Sequence, residues 1–178
     1  MTKTQLPKLF NREHPASIAL LDSWEDLLIN KGDRAELRRC KNLKKLQQTS
    51  TFQRHYWKLS KKFMQGDKYP QKEQMAIMIA LVAYIDSNVT SYKEGDEEKP
   101  DYFAYQISRG DKPKLSELRF RRLLKIDDRE KLFHFLIQVL RVLDKKVNIL
   151  DLLSIAYFWG DNTKTKLAYK YYEKANLD

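Results

Sequence analysis

R-G-D-K-P-K-L-S-E-L-R-F-R-R-L-L-K, residues Arg109 to Lys125, reads as a basic turn followed by a helix. Gly110 and Pro113 break regular structure, Ser116 stands where an N-cap belongs, and Leu118, Phe120, Leu123 and Leu124 supply apolar groups behind it. At about 100° per residue, Phe120, Leu123 and Leu124 fall on one face, Arg119 and Arg121 lie to either side of it, and Arg122 points away. The apolar face can pin this helix while fixed cations face outward. A cation held on a packed helix loses less entropy on binding than one on a floppy tail, which makes the segment a candidate binding surface.

The same grammar of short capped helices runs through the rest of the chain. Leu, Lys, Glu, Gln, Arg and Ala are frequent, and Gly and Pro number five each among 178 residues, so the local bias is helical. The first dozen residues read as a loosely held arm. A helix starts near Pro15, carries Ile18, Leu21, Trp24, Leu27 and Leu28, and stops at Lys31-Gly32. Asp33 is expected to cap a short helix in which Leu37 and Cys40 share a face and Arg34, Arg38, Lys41 and Lys45 form a stripe. Thr49 or Ser50 caps the next, with Phe52, Tyr56, Leu59 and Phe63 at helical spacing and Arg54, Lys58, Lys61 and Lys62 between them. The run Met75 to Ile85 is apolar on nearly every side and reads as the central helix of an N-terminal bundle.

Ser87 to Asp101, acidic and holding Gly95 and Pro100, reads as a solvated loop. A short helix at Tyr102 to Ser108 leads into the basic segment. Beyond it, Asp127 or Asp128 caps a helix burying Leu132, Phe135, Leu136, Val139, Leu140 and Leu143. Asn148 caps Ile149 to Trp159, Gly160 ends that helix, and a last one carries Leu167, Ala168, Tyr171 and Tyr172. The expected fold is all-α, two small helical bundles packed together, divided as residues 1–108 and 109–178.

The net charge of +10 calls for an acidic partner, and its distribution says more than its total. Lys31 to Lys68 is net +9 and Arg109 to Lys125 net +5, which leaves the remainder near −4. Excess charge gathered in two segments marks a track rather than diffuse solubility charge. Arginine presents a planar fork to phosphate and stays charged, so Arg34, Arg38, Arg39, Arg54, Lys58, Lys112, Lys114, Arg119, Arg121 and Arg122 are the candidate nucleic-acid contacts. Contacts of this kind position a backbone without reading bases.

Catalytic signatures are missing. His14, His55 and His134 sit in different elements without a ligand at metal-binding spacing, and Cys40, the one cysteine, reads as a buried inert thiol. No phosphate-binding glycine motif or nucleophile elbow is present. The acids of the Glu94 to Asp101 loop do not follow calcium-loop spacing. Trp24 and Trp159 fall in apolar helices; Trp57 lies in the basic segment, where it could stack on a base, but an aromatic at helical spacing is expected to pack. No catalytic residue, metal or cofactor is expected. No apolar run reaches bilayer length and no signal-type N-terminus is visible, so a cytoplasmic protein without a membrane partner is the expectation.

G-D-R-A-E-L-R-R-C at Gly32 to Cys40 and G-D-K-P-K-L-S-E-L-R-F-R-R-L-L at Gly110 to Leu124 resemble the two signature segments of the CasB family, the small subunit of the type I-E CRISPR surveillance complex Cascade. The tryptophan helix at Ser17 to Leu28, and Phe158-Trp159-Gly160 followed by a tyrosine-rich helix, resemble that family in the same order. Leu167 stands where the family pattern has tryptophan, and the acidic loop does not match. The resemblance implies an all-helical, two-domain, non-catalytic protein that sits as a pair of copies beside the backbone and large subunits. There it helps hold guide RNA, opened target DNA and the displaced strand. It brings Arg34, Arg38, Arg39, Lys112, Lys114, Arg119, Arg121 and Arg122 forward as contact residues. Two other readings stay open: a basic adaptor docking acidic proteins, and a small metal-dependent nuclease using the acidic residues.

Overall fold

The computed structural model describes residues 8–176. Its helices and strands follow in the order α1 (Pro15–Ile29), α2 (Lys31–Arg39), α3 (Leu43–Leu46), α4 (Ser50–Ser60), α5 (Lys72–Val82), β1 (Ser87–Asn88), β2 (Ser91–Glu94), β3 (Glu97–Pro100), α6 (Phe103–Ser108), α7 (Glu117–Leu124), α8 (Arg129–Val142), β4 (Lys146–Val147), α9 (Ile149–Tyr157) and α10 (Asp161–Lys174). The protein is mostly α-helical, as its composition implies. Side chains start the helices where the sequence offers a cap. Thr49 Oγ1 accepts from the amide of Phe52, Asp128 Oδ1 from Lys131, and Asn148 Oδ1 from Asp151.

Helix α5 organises the core. Every residue from Met75 to Val82 is buried, so the helix has no solvent face, and it packs against α3 and α4 from the first half and α8 and α9 from the second. Its C-terminal end feeds β1, which pairs in parallel with β4. Asp144 and Lys145 adopt left-handed backbone with φ of 53° and 57°, turning the chain so that the Lys145 carbonyl accepts from the amides of Asp86 and Ser87. Buried apolar residues of both halves form one contiguous core. Between residues 108 and 109 the chain is closely bonded: the Leu115 amide donates to the Ile107 carbonyl at 2.9 Å, and α6 packs on α10. The division into an N-terminal bundle at 1–108 and a C-terminal bundle at 109–178 stands as a proposal, taken up in the Discussion.

Several expectations change. Ser87 to Asp101 is not a loop, because β2 and β3 form an antiparallel hairpin. Gly95, at φ 63°, takes the first central position of its two-residue turn, a place where glycine carries no Cβ penalty. Lys99 pairs across the hairpin with Glu94 and lies near Glu97 on its own strand, offsetting part of the acidic charge of the two strands. The chain breaks at Asn30, so Gly32 lies inside α2 and Asp33 is a first-turn residue rather than the cap. Helix α2 ends at Arg39, which leaves Lys41 and Lys45 off its stripe. Residues 1–7 of the expected arm lie outside the described residues. Phe10, by contrast, packs edge-on against Phe63 and Phe158 and beside Tyr157. Phe133 takes the fully buried place expected of Phe135, and Cys40 is half-buried, its thiol directed at the Asn42 carbonyl.

Candidate nucleic-acid interface

Helix α7 is held from beneath and at both ends. Phe120 lies face to face on Tyr171 with ring centroids 3.8 Å apart and planes 4° from parallel, and Leu123 is buried beside it. The Tyr171 hydroxyl donates to the Leu115 carbonyl at 2.6 Å, and burial pushes that phenol up to about 12. At the start of the turn, Arg109 makes a two-pronged pair with buried Asp101 at 2.6 and 3.2 Å, and its guanidinium lies 3.8 Å over the Tyr92 ring. At the far end the Trp159 indole donates to the Ile126 carbonyl at 2.7 Å. Ser116 occupies the N-cap position, yet its side chain makes no capping bond.

On this platform Lys112, Lys114, Arg121 and Arg122 are exposed and Arg119 is half-exposed. Among the described residues none of these five side chains makes a hydrogen bond or an ion pair. Lys125, not singled out as a contact in the sequence, is equally exposed and unpaired; its position one turn beyond Arg121 and Arg122 was the available signal.

The other candidates fare differently. The expected outward stripe at Arg34 and Arg38 is corrected: both guanidiniums turn inward. Arg34 donates to the carbonyls of Ala83 and Ile85 and pairs with Asp86 at 2.5 Å, while Arg38 donates to Ala83 at 2.7 Å. These bonds satisfy carbonyls left open at the end of α5. Burial, with Arg34 alongside, lowers the Arg38 pKa; burial works to raise that of Asp86, but Arg34, Lys145 and Arg38 together hold its carboxyl below the usual range. Arg54 pairs with Asp33 at 2.8 Å and Lys58 with Asp26 at 2.7 Å, both at the surface, where such pairs exchange readily for other anions. Among the described residues Arg39 is exposed and unpaired, as are Lys44, Lys45, Lys61 and Lys62.

The remaining polar chemistry is structural. His14 caps α1 by accepting from the Ala16 amide, His134 faces Glu130, and His55 is buried. Trp24 donates its indole N–H to the Ile85 carbonyl, whereas Trp57 is 55% exposed. Among the described residues no trio of His, Cys, Asp or Glu is grouped to hold a metal ion, and no helix is long and apolar enough to cross a membrane.

Fold and surface together define a small, mostly helical protein that carries exposed cations on and beside the anchored helix α7. Residues 33–172 match the family model of CRISPR-associated protein Cse2, and the chain belongs to that family, the CasB subunit of type I-E Cascade. It is thus a subunit of a CRISPR Cascade complex, assembled with other subunits. Searches of curated proteins and of solved structures returned no match.

Proposed function

We propose that this subunit is a non-catalytic clamp for nucleic acid within Cascade, using the α7 face to hold guide RNA with opened target DNA and the displaced strand by their phosphates. The reading rests on one observation above all. Among the described residues, Arg119, Arg121 and Arg122 make no side-chain hydrogen bond or ion pair while the helix carrying them is fixed, and Lys112 and Lys114 are likewise unpaired on the turn leading into it. This charge is available to a polyanion, at little ordering cost for the three on the helix. Arg39, with Arg54 and Lys58 from their surface pairs, supplies further cations on the first half. The complex itself acts in the cytoplasm, and a second copy of this chain lies beside the first. Guide pairing reads the sequence, and these contacts stabilise what pairing has opened.

The test is a salt titration of single-stranded DNA binding by the full chain. Binding weakens with salt at a slope of about −0.7 per phosphate neutralised. In Arg119→Ala/Arg121→Ala/Arg122→Ala that slope falls by about 2 if all three face phosphate. Arg34→Ala serves as the control, expected to lower stability by about 1–3 kcal/mol through loss of its charge-assisted bonds to the Ala83 and Ile85 carbonyls and to Asp86, while leaving the slope alone. An unchanged slope in the folded triple variant would place those arginines against protein.

A further inference from the structure

Beside the cationic face runs an apolar groove that phosphate binding does not use. It is shallow and open, has a volume of about 460 Å³, and is lined by Leu124 of α7 and by Lys164, Thr165, Ala168, Tyr169 and Tyr172 of α10. Large aromatics are seldom left in water without a reason, and here Tyr169 is 78% and Tyr172 43% exposed. Tyr172 is held rigid. Its ring stands edge-on to Phe120 and to Tyr171, at interplanar angles of 82° and 83°, and its hydroxyl donates to Glu117 at 3.1 Å. Tyr169 makes no ring contact of this kind among the described residues and can turn over the groove.

We infer that this groove takes an unpaired base of the strand whose phosphates ride on α7, the base stacking on Tyr172 under Tyr169. The inference rests on the phosphate reading above and adds the part of the ligand that a row of arginines cannot hold. Charge selects the occupant. The acids at the rim are already bonded, Glu117 to the Tyr172 hydroxyl and Asp127 to Lys164, whereas Arg121 and Lys125, which bracket Leu124 on the same helix, are unpaired. A ligand that suits both features carries negative charge along its length and flat apolar rings to the side, which describes single-stranded nucleic acid. Stacking makes no demand on base identity, since every base has a π-face.

The experiment compares a fluorescent single-stranded oligonucleotide with an abasic strand of the same length, binding to the full chain, to Tyr169→Ala, and to Tyr169→Ala/Tyr172→Leu. The wild type is expected to prefer the base-bearing strand by about 5- to 150-fold per seated base. Tyr169→Ala, at a site without packing partners, narrows that ratio several-fold and leaves the salt slope unchanged; the double variant brings it near unity. Tyr172→Phe keeps the ring and therefore the ratio. If the wild type binds both strands alike with a normal salt slope, the groove holds no base and only this inference falls. If the tyrosine variants keep the ratio but fail to enter the Cascade complex, the groove belongs to a protein neighbour and the inference is overturned. Absence of salt-dependent binding to either strand would overturn the phosphate reading and this one with it.

Discussion

His55 sits buried among charges of both signs, with Asp26, Asp33, Arg54 and Lys58 around it. Burial is the largest influence on it, Lys58 adds to that, and together they hold the imidazole below its ordinary 6.5. The folded protein then binds fewer protons at this site than the unfolded chain, so stability rises with pH. The contribution is complete above about pH 6.5 and drains away as pH falls below that value. Urea midpoints are expected to drop between about pH 7.5 and pH 5.5 in the wild type, and to drop less in His55→Gln. Equal drops in the two proteins would assign the pH dependence to other groups. Single residues were also where sequence reading reached least far. Spacing alone made Arg34 and Arg38 an outward stripe, because their partners at Ala83, Ile85 and Asp86 lie 45 to 52 positions away and leave no trace in local periodicity. The cations of 109–125 were legible because an apolar face at helical spacing fixes the polar face by exclusion.

At the level of elements, the Phe120–Tyr171 ring pair is the main support beneath α7. Phe120→Ala removes the stacked partner of Tyr171 and opens a cavity beneath the helix, at an expected cost of about 3–5 kcal/mol in urea unfolding. The amides of α7 should lose hydrogen-exchange protection first. Destabilisation well under 1 kcal/mol would mean that α7 is held by its ends alone. Most elements were readable from the chain: the apolar run of α5 admits only a buried helix, and Thr49, Asp128 and Asn148 cap where cap chemistry predicts. The β2–β3 hairpin was not readable as such. Its strands are charged rather than alternating, and its turn signal is the modest pair Gly95-Asp96, so composition pointed to a loop while backbone pairing of Ser91–Glu94 with Glu97–Pro100 made a ladder.

For the molecule as a whole, α5 belongs to both halves. A helix with no free face cannot lose one set of neighbours without exposing apolar surface, so the two proposed bundles are expected to open together. Native-state hydrogen exchange checks this: the slowest amides of α4 and of α9 should share one opening free energy, and two distinct values would show that 1–108 and 109–178 unfold separately. That coupling escapes a sequence reading, which sees α5 as the centre of its own half because its later partners, α8 and α9, are written far downstream.

The bond from Tyr171 to Leu115 joins positions 56 residues apart. A ribosome releases the arginines of α7 well before it makes the tyrosine that fixes them. During synthesis, then, this chain carries its cations loose, and the ordered face that a nucleic acid would meet exists only after α10 has been made and has folded back.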